Sequence, residues 1–413
     1  MTATVTFGCR LNAAESETIA VLAAAAGLDD TVIVNTCAVT RAAERDALRA
    51  IRRLRRERPA SRIVVTGCAA QIDPSRFDLP GVTHVLGNAD KLDPATWAGL
   101  AGRSRIAVAP FGGKVATDDA PPGLADHTRA FIEIQQGCDH RCTFCVIPQG
   151  RGPSRSVPLD RVVARAAAAL AAGAREIVLT GVDLTSWGCD LGAPPQRLRL
   201  GGLVAVLLRR LPALARLRLS SLDPAEIDDE LIECLGDARV MPHVHLSLQA
   251  GDDVILKRMR RRHDVALALR QADRIRRARA DVALGADLIA GFPTEDDAAF
   301  ANSLAHVRAL DLPHLHVFPY SARPGTPAAR MPAVAAPAIK ERAARLREEG
   351  AAARARLVAR LAGTTADVLV ERDGGTGYCP HYLRVALDRP MPPGTIIAAT
   401  LAAHGESLTG VAA

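Results

Sequence analysis

Three cysteines, Cys138, Cys142 and Cys145, follow one another at the spacing Cys-x3-Cys-x2-Cys. One loop can therefore set three thiolates around a single metal centre. Iron–sulfur clusters are held by cysteine thiolates, and a cubane offers four iron corners, so three ligands from one loop leave one iron free to hold something else. Structural zinc is the competing use of the loop, with His140 inside it as a fourth ligand. Zinc sites usually close with paired Cys-x2–4-Cys and a more distant pair. No second pair follows nearby, and the spacing favours iron–sulfur.

A second triplet lies upstream. Cys9, Cys37 and Cys68 each end an apolar stretch, in FGC, NTC and TGC. The stretches Ala3–Phe7, Thr31–Asn35 and Arg62–Thr66 read as strands alternating with helices over Ala13–Ala26 and Thr40–Arg58, the pattern of a parallel sheet. Ligands of such sheets gather at the carboxyl ends of the strands, so the three thiols are expected to converge. Three separately buried core thiols are the alternative, since free cysteine is commonly buried.

The loop triplet needs a strand before it and more strands around it. Candidate strands are Phe131–Gln136, Glu176–Thr180, Arg216–Ser220, Val244–Leu248, Asp281–Ala290 and Leu315–Pro319, separated by helices at Asp160–Ala172, Gly202–Leu211, Ala225–Leu235, Asp264–Ala278 and Asp296–Leu310. Six βα repeats suit a partial or complete barrel whose chemistry sits at the carboxyl ends of its strands. Those ends are polar where a core would be apolar. They carry Gly181, Val182 and Asp183, then Ser220, Ser247 and Gln249, with Asp287 on the fifth strand. Each of these polar groups could equally anchor an internal hydrogen bond. His243 and His245 alternate on one strand face and are read as structural. A basic run, Lys257, Arg258, Arg260, Arg261 and Arg262, follows the fourth strand, and Arg151 and Arg155 flank the cysteine loop. Such groups can hold phosphates at a catalytic rim or form a solvated face.

With 413 residues the chain can build two or three domains, and its nine cysteines sit in no secretory context. The beginning MTATVTFGCRLN lacks the layout of a signal peptide, and no apolar run is long enough to span a membrane. A reducing cytoplasm is expected, where clustered cysteines are more often metal ligands than disulfides. The net charge of +7 permits a polyanionic partner without requiring one. The organisation expected is residues 1–125 as an N-terminal α/β domain, 126–360 as the barrel and 361–413 as a small β-barrel, with glycines Gly112 and Gly113 and the turn-prone Asp118–Gly123 near the first boundary. Strands are expected at Ala366–Val370, Leu383–Leu387 and Thr395–Thr400, after a charged helix over Lys340–Arg360. Tyr378, His381 and Tyr382 could stack on bases or pack the barrel. Arg372, Arg384 and Arg389 against Asp367, Glu371, Asp373, Asp388 and Glu406 make this last module acidic.

The loop CDHRCTFC resembles the signature of radical S-adenosylmethionine enzymes, with Phe144 at the aromatic position. GCRLN, NTCAVT and GCAAQ resemble the N-terminal motifs of the methylthiotransferases within that superfamily. EIVLTGVDLTSWG, MPHVHLSLQAGDD and HVFPYSARPGTPAARMP are similar to the MtaB-type branch. The resemblance implies an α/β fold: a partial (β/α)6 radical-SAM barrel, an N-terminal α/β domain and a C-terminal RNA-binding TRAM barrel. It implies two [4Fe–4S] clusters, an auxiliary one on Cys9, Cys37 and Cys68 and one on Cys138, Cys142 and Cys145 that binds S-adenosylmethionine. Gly181–Asp183 matches the segment lining the methionine group, although it departs from the familiar Gly-Gly-Glu form.

The activity implied is conversion of N6-threonylcarbamoyladenosine at tRNA position 37 to its 2-methylthio derivative. A 5′-deoxyadenosyl radical would open an inert C–H position for sulfur. The partners implied are tRNA, an electron donor such as flavodoxin or ferredoxin, and a sulfur donor, with the chain a monomer. Arg323 is a residue that would suit the threonyl carboxylate. Relatives that modify isopentenyladenosine or a ribosomal-protein aspartate share the clusters and barrel. An iron–sulfur RNA-binding protein without enzymatic activity would also share much of this composition.

Overall fold

The computed structural model describes residues 2–111, 128–193 and 197–412. The first unit is a parallel sheet of five strands in sequence order, β1 (Ala3–Thr6), β2 (Thr31–Thr36), β3 (Arg62–Gly67), β4 (Val82–Leu86) and β5 (Ile106–Ala107). Its helices are α1 (Arg10–Ala25), α2 (Arg41–Glu57), α3 (Cys68–Ile72) and α4 (Pro94–Ala98). β2 is buried at every position, its apolar run Val32–Val34 flanked by the buried polar residues Thr31, Asn35 and Thr36. The three expected strands are present, and β4 and β5 extend the sheet beyond them. The glycines and turn expected at 112–123 lie outside the described residues.

The second unit carries β6 (Arg129–Gln136), α5 (Ile147–Arg151), β7 (Arg155–Ser156), α6 (Leu159–Ala171), β8 (Glu176–Gly181), α7 (Leu200–Arg210), β9 (Arg216–Leu219) and α8 (Asp229–Cys234). It continues with β10 (His243–Gln249), α9 (Asp253–Met259), α10 (Val265–Ala278), β11 (Ala283–Ala290), α11 (Asp297–Leu310), β12 (His314–Pro319) and α12 (Ala336–Leu361). β6, β8 and β9 pair in parallel, as do β10, β11 and β12, and single bridges at Leu217–Val240 and Leu222–Leu246 join the two sets. The result is an open barrel of six parallel strands, with β7 an antiparallel addition at one edge. The helix expected over Ala225–Leu235 is shorter. A 3-10 turn at Pro224–Glu226 precedes α8, whose first turn is capped by Asp228 accepting from Leu231 N. α9 was not expected; it is capped by Asp252 and ends at Arg260, which takes the left-handed conformation at φ +58°.

Strand alternation sorts the side chains. Ile132, Ile134, Ile177, Leu179, Leu217, Leu219, Val244, Leu246 and Leu288 face the helices in one apolar core. Leu315 faces α12 so closely that a Cβ on Gly350 would lie 2.9 Å from its own Cβ. The alternate positions, among them Glu176, Arg218, His243, His245, Asp287, His314 and His316, belong to the inner face. The barrel interior is therefore lined with polar groups.

The third unit is a closed barrel of β13 (Thr365–Val370), β14 (Thr376–Tyr378), β15 (Arg384–Leu387), β17 (Ser407–Ala412) and β16 (Ile396–His404), in that spatial order. It docks against the amino ends of the central strands. Tyr382 lies under the Arg218 guanidinium, 4.4 Å from ring centre, and beside His243, 5.1 Å between rings. Arg129 covers Tyr378 at 4.8 Å, and the His381 carbonyl meets His314 Nε2 at 2.8 Å. Beneath them Glu176 is fully buried and pairs with Arg129, Arg216 and Arg218. Tyr378, His381 and Tyr382 thus pack the joint between two units, the packing alternative of the two the sequence left open. No helix is long and apolar enough to cross a membrane among the described residues.

Candidate iron–sulfur and cofactor site

The upstream triplet is assembled by interlocking strand ends. Cys9 stands at the N-cap of α1, Cys37 follows β2, and Cys68 is the first residue of α3. Gly8, at φ +99°, lets the first turn approach so closely that a Cβ there would lie 2.7 Å from Cys37 Sγ. Gly67, at φ +102°, leaves no room for a side chain against the Thr36 backbone, 2.4 Å away. Motif residues hold these turns. Asn12 donates to the carbonyls of Phe7 and Thr36, Thr36 Oγ1 donates to the Thr66 carbonyl, and Asn35 Nδ2 reaches the Asn12 carbonyl. The polar letters of GCRLN and NTCAVT are therefore the frame that positions the thiols.

The loop triplet is held from several sides. Cys138 N–H donates to the Gly152 carbonyl and Thr143 N–H to the Met259 carbonyl, while the Thr143 carbonyl accepts from Ala328. Phe144 is half-buried and packs edge-on against Phe292, 6.4 Å between rings. Gln135 Oε1 accepts from the amides of Val182 and Asp183 at 3.0 and 2.8 Å, fixing the strand-end segment beside the loop. Asp183 is engaged by His140, whose Nε2 lies 2.7 Å from Oδ2. Burial, then the nearby Glu226, raise the Asp183 carboxyl above its ordinary value.

The donor chemistry fits iron–sulfur clusters better than a single ion. A tetrahedral zinc with bonds of about 2.3 Å needs sulfurs roughly 3.8 Å apart. Among the described residues, the donor groups lying within 4.8 Å of one another are Cys138–His140–Asp183 and His245–Asp287–His316, and neither triplet of sulfurs is such a group. Sulfurs of both triplets face N–H groups: Cys37 faces Val39 N, Cys68 faces Asn88 Nδ2, Cys138 faces the His140 backbone N–H, Cys145 faces Ile147 N and Cys142 faces Arg261 Nη1. Hydrogen bonds to sulfur are one of the ways a protein tunes such a cluster. Burial pushes the Cys37 thiol up to about 12 and the Cys145 thiol up to about 11. These sulfurs therefore need a bound cation to become thiolates.

The two triplets meet across one joint. Helix α5 follows the loop and packs on Cys68, where a Cβ on Gly150 would lie 3.2 Å from the Cys68 Cβ. Asn88 bonds both Cys68 Sγ and the Gly150 carbonyl. Arg151 is buried at this joint and paired with Glu15, so it is not free to hold a phosphate as its position in the sequence suggested. Arg323 is corrected in the same way. Buried, it makes a two-pronged pair with Glu44 at 2.6 and 3.1 Å, and so already holds a carboxylate. Arg155 lies over the Phe111 ring and donates to the Pro153 carbonyl.

The remaining candidates divide. Lys257, Arg258 and Arg260 are exposed at the end of α9, with Arg258 donating to Thr294. Arg261 is drawn inward to Asp223 Oδ2 at 2.9 Å and the Ser247 carbonyl at 2.6 Å, and Arg262 pairs with Glu226 at 2.7 Å. Ser220 Oγ is buried without a partner, and Gln249 sits in a left-handed bulge at φ +71°. Asp287 accepts from His245 and His316, so His245 faces the lumen rather than filling a core. Glu15, Gln135 and Asn88 were missed. The available signal for Glu15 was a carboxylate on the face of α1 that also carries Leu11, Asn12 and Ile19; Gln135 and Asn88 carried none.

Residues 132–307 match the model of the Radical SAM superfamily, and residues 2–87 match that described as Uncharacterized protein family UPF0004. The chain is 42% identical over 403 residues, 96% of this chain and 94% of the other, to the threonylcarbamoyladenosine tRNA methylthiotransferase MtaB of Rickettsia prowazekii. It is 36% identical, over 98% of this chain and 97% of the other, to the tRNA-2-methylthio-N(6)-dimethylallyladenosine synthase of Cereibacter sphaeroides strain ATCC 17025. Among solved structures, the radical S-adenosylmethionine methyltransferase TsrM from Kitasatospora setae superposes with a TM-score of 0.58 at 15% identity, covering 79% of this chain and 76% of that one, a likeness of fold.

Proposed function

Because this chain belongs to the MtaB-type radical-SAM methylthiotransferases, we propose that it converts N6-threonylcarbamoyladenosine at position 37 of tRNA to its 2-methylthio derivative. The observation that carries the reading is the packing of α5, from the loop triplet, directly on Cys68 of the other triplet. A radical generated at one site and sulfur supplied at the other require one shared joint. We assign one [4Fe–4S] cluster to Cys138, Cys142 and Cys145 and a second to Cys9, Cys37 and Cys68. When bound, these groups with S-adenosylmethionine supply one-electron cleavage and a methylthio sulfur.

The protein's own residues do the positioning. Gln135 presents the strand-end segment Gly181–Asp183 to the cofactor side of the loop, and the orphaned Ser220 hydroxyl is available to a ligand there. Ser247, Gln249 and Asp287 complete the assigned rim, with Phe144 supporting the loop from beneath. Lys257, Arg258 and Arg260 are assigned to phosphates, with Arg155 as a further candidate. The closed C-terminal barrel is read as a TRAM module that contacts RNA through surfaces other than its docked tyrosines. The units are taken as 1–125, 126–360 and 361–413. One chain holds both triplets, so a monomer in the cytoplasm suffices, with a flavodoxin or ferredoxin as electron donor and a separate sulfur donor.

The test is mass spectrometry of nucleosides from total tRNA with the gene deleted and restored. Loss of 2-methylthio-threonylcarbamoyladenosine with build-up of its unthiolated parent supports the assignment. Intact nucleosides and a missing methylthio group on a ribosomal protein would overturn it.

A further inference from the structure

The inner face of β10, β11 and β12 holds a donor set that neither cysteine triplet uses. Asp287 stands opposite His316 in register, and His245 stands opposite Gly285 on the other side. His245 Nε2 and His316 Nδ1 each lie 3.1 Å from the same oxygen, Oδ1 of Asp287. The three donor atoms all fall within 4.8 Å of one another. Gly285 permits this crowding, because a Cβ there would lie 2.5 Å from His245 Nδ1. Side-chain exposure climbs across the set, 7% for His245, 24% for Asp287 and 58% for His316. Protein thus backs one side while the other opens to the lumen. The histidines of the layer below, His243 and His314, are buried and stack edge-on, 4.7 Å between rings.

We propose that His245, Asp287 and His316 bind one divalent transition-metal ion whose remaining positions face the barrel lumen. Two imidazoles and one carboxylate with open positions form a ligand set suited to iron, zinc, cobalt or manganese in the divalent state. With metal–ligand bonds of about 2.05 Å, a nitrogen–oxygen separation of this size corresponds to an angle at the metal of roughly 100°. For each nitrogen–oxygen pair that lies between octahedral and tetrahedral geometry, so an ion would take the place of the two imidazole–carboxylate hydrogen bonds. An open position would take an oxygen ligand. Resting on the substrate reading above, the threonyl carboxylate is the group of that class that distinguishes this substrate from a dimethylallyl one. A hydrogen-bonded His–Asp–His network that binds no ion is the competing arrangement.

The test uses cluster-reconstituted holoenzyme treated with chelator and titrated anaerobically with Co2+ alone. Bound cobalt is measured by equilibrium dialysis with elemental analysis, and its high-spin signal by electron paramagnetic resonance. No tRNA enters the titration, so its outcome is separate from the substrate assignment. The expected result is one Co2+ per chain, with affinity falling about 100-fold or more in His316→Ala and Asp287→Asn. Iron content checks that each variant is folded. Absence of stoichiometric binding by the unaltered enzyme would overturn the proposal even if no variant folds. Equal binding by the unaltered enzyme and folded His316→Ala would overturn it as well.

Discussion

Arg151 and Glu15 form a two-pronged ion pair, with nitrogen–oxygen distances of 2.8 and 3.0 Å, buried between the helix that follows the loop triplet and the helix that follows Cys9. Lys91 adds a third contact to the same carboxylate at 2.6 Å. Removing one partner of a buried pair leaves an uncompensated charge and costs about 3–5 kcal/mol. Arg151→Ala should therefore lower the melting temperature and depress methylthiolation more than S-adenosylmethionine cleavage, because it loosens the joint and leaves the loop ligands in place. Equal loss of both activities, with unchanged stability, would contradict the joint role.

The same carboxylate sets an acid limit. Burial alone would raise the Glu15 carboxyl, but Arg151 and then Lys91 outweigh it and hold the group at about 2. Glu176 is likewise held at about 2, by Arg218, Arg216 and Arg129 against its burial. A lowered carboxyl contributes stability that is complete above its ordinary value, 4.5, and lost as pH falls towards 2. Denaturant midpoints of the metal-free chain should drop across that window. Glu15→Gln should be less stable at neutral pH and show a shallower drop.

Replacing Cys138, Cys142 and Cys145 together by alanine should leave about half the iron and no 5′-deoxyadenosine formation. Replacing Cys9, Cys37 and Cys68 should abolish methylthiolation while cleavage of S-adenosylmethionine persists. Cys189, Cys234 and Cys379 should be dispensable for iron binding. Cys379 is buried in the C-terminal barrel core, so its replacement by serine should cost stability alone. Iron analysis of each variant decides these points.

Tyr382 joins the C-terminal barrel to the rest of the molecule: its hydroxyl accepts from Arg10 at 2.8 Å, and its ring lies under Arg218. Tyr382→Ala should lower the melting temperature, because its half-buried ring carries the contacts with Arg218 and His243, and should make the segment around Gly363 more sensitive to limited proteolysis. Tyr382→Phe should keep the ring contacts and lose only the Arg10 bond. An alanine variant with unaltered proteolysis would argue against this docking.

The basic run should behave as two groups. Neutralising Lys257, Arg258 or Arg260 should each reduce the salt slope of tRNA binding by about 1, because these side chains are exposed. Arg261→Gln should instead disturb the cysteine loop, since Arg261 bridges Cys142 Sγ, Asp223 and the Ser247 carbonyl. Filter binding across a salt series, paired with iron analysis, separates the two outcomes.

The sequence alone determined the two cysteine triplets, the strands that carry them and the six-strand central unit, because these depend on local spacing and on apolar periodicity. Cys9, Cys37 and Cys68 could be expected to converge, since parallel strands of one sheet bring their carboxyl ends together. The fates of the polar residues were decided only in three dimensions. Arg151 and Arg323 look like free cations in the chain, yet each meets a carboxylate from a segment far away in sequence, Glu15 and Glu44. Tyr378 and Tyr382 could equally have stacked on bases, and the docking of the barrel against Arg129 and Arg218 settled it. Asp287 and His316 become neighbours only through the register of β11 and β12. A charged side chain's role is set by its nearest opposite charge, and residues distant in sequence become neighbours only when the chain folds.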